Sequence, residues 1–281
     1  MTDHYAVFGN PIAHSKSPQI HAAFAKQTLQ DLRYERQLVE PGNFTADAKA
    51  FFDTGGKGLN ITVPFKLDAY AFAGGLTQRA QQAQAVNTLA LQNDGSVLGD
   101  NTDGAGLLSD ITTNLRWQLR DKKILVLGAG GAVRGVLAPL LSQRPQRLVI
   151  ANRTASKAIE LADAFSAQDS ISGGSVRGCG YEQLGDVQFD IVINGTSASL
   201  AGDLPPLPEN LLSVNASCYD MMYGAKPTVF MQWAQQHGAA HIADGLGMLV
   251  EQAAAAFQLW RGVRPQTAGA IIELRAAISK P

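Results

Sequence analysis

Short apolar runs alternate with longer amphipathic stretches along the chain. YAVFG (5–9), YERQLV (34–39), LNIT (59–62) and VNTLAL (86–91) are brief runs, apolar or alternating with period two, and they predict strands. The segments near 17–28, 43–53, 64–72 and 77–84 repeat their apolar positions every three to four residues and predict helices. The alternation resumes at ILVLG (124–128), where a strand is followed by a glycine-rich turn, a helix and a second strand ending at LVIA (148–151). Later strands are expected at FDIVING (189–195) and LLSVNAS (211–217). Strand, helix and strand in turn point to a parallel sheet covered by helices. Residues 104–115, and the closing MLVEQAAAAFQLWRG and PQTAGAIIELRAAIS, read as helices that connect or brace two domains with a cleft between them. The expected class is therefore α/β in two domains: 1–103 with its own sheet, 104–237 with a doubly wound Rossmann-like sheet, and a segment 238–281 whose helices pack back toward the first. Loops are expected at SAQDSISGGS (166–175) and ASLAGDLPPLPEN (198–210).

Composition narrows the range of partners. A chain of 281 residues, 46% hydrophobic, has material for two cores. Its net charge of −1 leaves no basic face for a phosphate backbone, so nucleic acid is not expected as a partner. No apolar run approaches the roughly 20 residues that cross a bilayer, and MTDHYAVFGNP enters a strand without a charged-then-apolar leader. Cys179 and Cys218 stand far apart and suit reduced thiols, which favours the cytoplasm. No metal site is expected, because His237 and His241 are separated by a Gly238 turn and lack a third ligand nearby in sequence.

The glycine-rich turn carries the clearest chemistry. Gly128 and Gly130, with Ala129, Gly131 and Ala132 around them, let the backbone turn sharply and approach a pyrophosphate. Its charge would then sit on the open amides and positive dipole end of the next helix. Where an NAD site would place a carboxylate after the second strand, the chain reads Asn152, Arg153, Thr154, with Lys157 one turn on, which suits the 2′-phosphate of NADP. The fingerprint departs from pattern at Val133, where a small residue belongs; a glycine appears only at Gly135, four before Pro139. A glycine turn joining any strand to any helix is the plainer reading of the loop, and Thr154 also suits a helix N-cap.

A second constellation precedes that turn. Asn60 and Thr62 lie two apart in a strand and share a face, which suits a polyol. Pro64 fits the first turn of a helix, which would put Lys66 at its positive end; that position disfavours an ammonium by roughly 0.3 to 1 kcal/mol, so a compensating group is expected. Asp103 in GDNTDG is the candidate. Each residue also has an ordinary explanation: Lys66 as a solvated charge, Asp103 as a helix cap, Asn87 as a turn residue, Ser17 as an N-cap ahead of Pro18, and Ser15 as loop.

NPIAHSKSP, GLNITVPFK, AVNTL, GDNTDG, LGAGGAVRG, ANRT, YDMMYG and GMLVEQAAAAFQLWRG, in this order and across nearly the whole chain, resemble the shikimate dehydrogenase family of the bacterial biosynthetic type. The resemblance implies reversible NADPH-dependent reduction of 3-dehydroshikimate to shikimate, in chorismate and aromatic amino-acid biosynthesis. It implies a catalytic pair at Lys66 and Asp103, carboxylate-binding hydroxyls at Ser15 and Ser17, and ring-hydroxyl contacts at Asn60, Thr62, Asn87 and Gln252, with a substrate-side tyrosine at Tyr219. It implies cofactor contacts at the Gly128 to Ala132 turn, at Asn152, Arg153, Thr154 and Lys157, and at Thr196, Met221 and Gly245. Glu251 stands where the resemblance leads one to expect histidine, and would bring a negative charge toward an anionic substrate if it pointed inward. Cys218, adjoining Tyr219, raises the question of a thiol-sensitive site, although a buried apolar role is the commoner one. Two rivals remain: a quinate/shikimate dehydrogenase that also uses NAD, disfavoured by NRTAS after the second strand, and a non-catalytic NADPH-binding sensor, disfavoured by the presence of both Lys66 and Asp103. Monomer and homodimer stay open.

Overall fold

The computed structural model describes residues 2–166, 175–196, 198 and 202–279; the first expected loop falls almost wholly, and the second partly, outside them. The chain divides into two compact units, Met1–Gly106 with Leu249–Leu274, and Leu107–Met248 with Arg275–Pro281. Residues 238–248, expected to begin a separate C-terminal segment, thus group with the second unit, and Leu249–Leu274 with the first.

In the first unit β1 (Asp3–Gly9), α1 (Ser17–Thr28), β2 (Leu32–Leu38), α2 (Phe44–Asp53), β3 (Gly56–Ile61), α3 (Lys66–Phe72), β4 (Gly75–Leu76), α4 (Gln78–Ala83), β5 (Thr88–Leu91) and β6 (Val97–Asp100) follow in order. The sheet runs β2-β1-β3-β5-β6-β4, six-stranded among the described residues. β1 pairs in parallel with β2 and β3, whereas β5 is antiparallel to both β3 and β6. Ala6, Phe8, Leu59, Ile61 and Leu89 pack with Phe44, Ala48 and Phe51, whose spacing of four and three is what α2 needs to cover a sheet. Neither β4 nor β6 was expected. β6 is the return arm of a hairpin in which Asp94 accepts from the Ser96 backbone N–H at 2.9 Å and Gly95 takes φ +84°, so NDG was its signal.

In the second unit α5 (Asp103–Ser109, begun in the first) passes into one π turn, Asp110–Asn114, where a single helix 104–115 was expected. Then come β7 (Lys123–Leu127), α6 (Gly131–Ser142), β8 (Arg147–Ala151), α7 (Ala155–Ser166), β9 (Ser175–Cys179), β10 (Phe189–Asn194), β11 (Leu212–Asp220), α8 (Val229–Gln236) and β12 (His241–Asp244), followed by α9 (Leu246–Arg261) and α10 (Ala268–Ile278). The strand order is β12-β11-β10-β7-β8-β9, all parallel, which is the doubly wound dinucleotide order with its switch point between β7 and β10. Central strands buried on both faces read as continuous apolar runs, and β7, β8 and β10 were expected for that reason. The edge strands β9 and β12 are only partly buried, carry no such run and were missed.

Candidate active site

The nucleotide-side residues cluster by topology. Gly128 follows β7, Asn152 follows β8, Thr196 lies just past β10, Met221 follows β11 and Gly245 follows β12, so all five stand at carboxyl ends of parallel strands. An open α/β sheet takes its ligand there. Gly128 has φ +103°, a conformation that favours glycine, and its N–H donates to the Ala151 carbonyl at 2.8 Å. Cβ atoms added at Gly130 or Gly131 would meet nothing within 4 Å, and Gly130, with no side chain to offer, caps α6, so no side chain of its own fills the space at the start of that helix. Thr196 is held by Asn194, whose Oδ1 accepts from its backbone N–H at 3.1 Å and its hydroxyl at 2.7 Å; Asn194 Nδ2 donates to Asp220 at 3.1 Å, which ties the end of β10 to that of β11. A Cβ at Gly245 would lie 2.2 Å from the Met221 carbonyl oxygen, so the glycine permits this close approach.

Val133 has a physical answer. Its side chain is fully buried, and a Cβ at Gly195 would fall 2.4 Å from its Cγ2. Close packing of the helix on the sheet needs one small partner, and here the strand end supplies it. Arg153, Thr154 and Lys157 are exposed, and no described carboxylate pairs with Arg153 or Lys157.

In the first unit the polar residues meet. Lys66 is the first residue of α3; Pro64 lies outside that helix, its bond to Val63 cis, and does not fill the helical turn expected for it. Lys66 Nζ donates to Asp103 Oδ2 at 2.5 Å, with side chains 18% and 11% exposed, so the compensating group expected of Asp103 is in place. The Val86 N–H donates to the Lys66 carbonyl at 3.0 Å and sets Lys66 beside the segment that carries Asn87 into β5. Asn87, 3% exposed, donates from Nδ2 to Asp103 Oδ1 at 2.7 Å and accepts at Oδ1 from the Thr102 N–H at 2.8 Å. Gln252 on α9 turns its Oε1 to Thr102 Oγ1 at 3.3 Å and Asn87 Nδ2 at 3.5 Å. Asn60 is 6% exposed with its whole amide engaged: Oδ1 accepts from Tyr34 and His21, and Nδ2 donates to Thr88 Oγ1 and the Asn87 carbonyl. Its polar atoms are thus all taken up within the protein.

Ser17 begins α1, and Lys16, not Ser17, occupies the cap position. The Ser15 hydroxyl donates to that of Ser17 at 3.2 Å, so the two form a pair. Glu251 is 3% exposed, accepts from Arg264 at 2.7 Å and Thr267 at 2.6 Å, and being about 100° round the helix from Gln252 brings no charge to the amide cluster. Tyr219 lies in the second unit, 0% exposed, and its hydroxyl donates to Asp110 at 2.6 Å; burial beside that carboxylate pushes the phenol well above its ordinary range. The hydroxyl expected on the substrate side thus has a partner already. Cys218 is wholly buried and its thiol is pushed up to about 12, which answers the question of reactivity in the negative. Sequence reasoning missed His21, Tyr34, Thr88 and Thr102. The one signal for Thr102 was its place in the unbroken polar run DNTD, all of it buried.

A doubly wound sheet with a glycine turn at its switch point, in one chain with a half-buried lysine–carboxylate pair among amides, defines a dinucleotide-dependent oxidoreductase of two α/β domains. Residues 7–89 match the shikimate dehydrogenase substrate binding domain, 110–201 the shikimate/quinate 5-dehydrogenase family and 245–270 the shikimate 5′-dehydrogenase C-terminal domain. A shikimate dehydrogenase (NADP(+)) of Cellvibrio japonicus is 62% identical over 275 residues, 98% of either chain. Among solved structures, the Ael1 enzyme of Pseudomonas putida matches at TM-score 0.91 and 46% identity over 100% of this chain and 99% of that one. The shikimate 5-dehydrogenase of Thermus thermophilus, in complex with NADP(H) and shikimate, matches at 0.85 and 31% over 98% and 100%. The chain belongs to the shikimate dehydrogenase family and is an NADP(+)-dependent oxidoreductase.

Proposed function

We propose that Lys66 and Asp103 perform the acid–base half of the interconversion of 3-dehydroshikimate and shikimate, the function of the family. The observation that carries this is the contact of 2.5 Å between the ammonium and a carboxylate whose other oxygen is held by Asn87. The residues beyond the strand ends suit NADP: open helix amides for the pyrophosphate, cations without a described carboxylate partner at Arg153 and Lys157 for the 2′-phosphate, and no acidic residue in 152–157 to repel it. When bound, the nicotinamide supplies or accepts the hydride. Lys66 gives its proton to the ketone oxygen in reduction and takes one from the hydroxyl in oxidation. Asp103 keeps the amine directed and takes a bond from a neighbouring substrate hydroxyl. Ser15 and Ser17 bind the carboxylate, and Thr62, Asn87 and Gln252 the ring hydroxyls, holding one orientation for attack. The setting is the cytoplasm, with two buried reduced thiols; no described helix is long and apolar enough to cross a membrane.

Initial rates of dinucleotide reduction with shikimate and with quinate, each against NADP+ and NAD+, test substrate and cofactor together. Shikimate with NADP+ is expected to be fastest by a wide margin. A preparation that binds NADP+ tightly but turns over neither acid is the sensor, and equal rates with NAD+ and quinate make it the broader dehydrogenase.

A further inference from the structure

Asn60 and Asn87 are buried amides whose orientations are settled by groups that bond in one direction only. Asn60 Nδ2 faces the Asn87 backbone carbonyl at 3.4 Å, and a carbonyl only accepts. Its Oδ1 therefore faces the Tyr34 hydroxyl at 2.7 Å and His21 Nε2 at 3.2 Å. An amide oxygen also only accepts, so the proton of His21 sits on Nε2. The ring is wholly buried, its Nδ1 has no partner among the described residues, and burial holds its pKa down to about 3, which keeps it neutral. It stacks on Tyr34 with centroids 4.2 Å apart and planes 9° apart, and Trp260 lies 5.3 Å away, so its direction is fixed by packing. From Asn60 the bonds continue one way. Nδ2 donates to Thr88 Oγ1 at 3.1 Å, Thr88 donates to Asn87 Oδ1 at 2.9 Å, and Asn87 Nδ2 donates to Asp103 Oδ1 at 2.7 Å, with Lys66 on the other oxygen.

We propose that His21 is a positioning residue for the proton-transfer pair: its Nε2–H sets the Asn60 amide and, through Thr88, the Asn87 amide that holds the Asp103 carboxylate in reach of Lys66. This rests on the reading of Lys66 and Asp103 as the acid–base pair. A chain of buried bonds with a single direction transmits orientation because reversing any member would set donor against donor or acceptor against acceptor.

The test is shikimate oxidation with NADP+ by the full chain, for wild type, His21→Gln, His21→Phe, Tyr34→Phe, Thr88→Val and the His21→Phe/Thr88→Val double variant, with thermal unfolding of each. Glutamine offers an N–H in place of Nε2–H, whereas phenylalanine keeps the flat ring and has no donor. Positioning predicts that kcat/KM for shikimate falls about tenfold in His21→Phe and less than about threefold in His21→Gln, with KM for NADP+ unmoved. It also predicts that His21→Phe costs nothing further once Thr88→Val has cut the chain. A purely packing role ranks phenylalanine above glutamine in activity as in Tm, and its losses add; either result overturns the inference. Should His21→Phe fail to fold, His21→Leu, which likewise has no donor, takes its place, and its coupling to Thr88→Val decides in the same way; Tyr34→Phe also removes a bond to Ser17 and serves as a comparison. A folded wild type without shikimate-dependent reduction of NADP+ overturns the catalytic reading, and this inference with it.

Discussion

Single side chains separate binding from chemistry here. Lys66→Ala removes the proposed proton donor while leaving Ser15, Ser17 and Asn87 in place, so kcat is expected to fall by roughly 10²- to 10⁴-fold with a much smaller change in KM for shikimate. Steady-state rates above neutral pH check this, and an unchanged kcat removes Lys66 from the mechanism. Arg153 is proposed to act on the other substrate. It is exposed and has no described carboxylate to neutralise it, and a charge-assisted bond to phosphate contributes roughly 1.5 to 3 kcal/mol. Arg153→Ser is therefore expected to raise KM for NADP+ about ten- to a hundredfold and leave KM for NAD+ nearly unchanged, as cofactor titrations would show. Cys218, close in sequence to Tyr219 and Met221, is expected to resist thiol reagents until the protein unfolds, because its thiol is buried and pushed up to about 12.

The contact of α6 with the end of β10 shows how one element accommodates another. The dinucleotide turn tolerates Val133 on the helix only because residue 195 on the strand side has no side chain. Gly195→Ala puts a methyl 2.4 Å from the Val133 Cγ2, in a fully buried contact, and an overpacked core typically costs about 1 to 3 kcal/mol. Val133→Ala in the same chain makes the room again, so the double variant is expected to recover most of the stability that Gly195→Ala loses. Urea midpoints of the three variants test it, and additive losses would place the requirement for glycine elsewhere. The start of α9 is built on the same rule, since a Cβ at Gly247 would lie 2.0 Å from Asp110 Oδ1, the carboxylate that also takes the Tyr219 hydroxyl.

One pH response is expected of the whole molecule. Stability responds on the acid side. His21 binds a proton near 6.5 when unfolded and only near 3 when folded, so between those values the unfolded chain holds more protons. Folding stability therefore falls as pH drops through that window, by about 1.4 kcal/mol per unit. Going from pH 7 to pH 5 is expected to remove about 2 kcal/mol through this residue, a loss absent from His21→Gln. Denaturant unfolding of both proteins at the two pH values measures the difference.

Local order was enough to read most of this molecule. Residues 124–151 carry a strand, a turn, a helix and a strand in apolar period and glycine alone, and the proposed nucleotide site follows because backbone amides, not side chains, make a phosphate cradle. The preference for NADP was legible as well, since Arg153 stands beside the strand end that must carry it. Some features arise only when distant segments pack. Edge strands β9 and β12 carry no continuous apolar run, and β4 is two residues long, so period could not mark them. Asn60 was read as a polyol contact on the face it shares with Thr62, yet Tyr34 from β2 and His21 from α1 claim its oxygen. Tyr219 gave no sign that Asp110, 109 residues away, takes its hydroxyl. The amino-acid order determines which backbone and which charges are available. Which polar atom each buried amide and hydroxyl faces is decided by long-range packing, because a buried polar group must find its partner wherever the fold brings one.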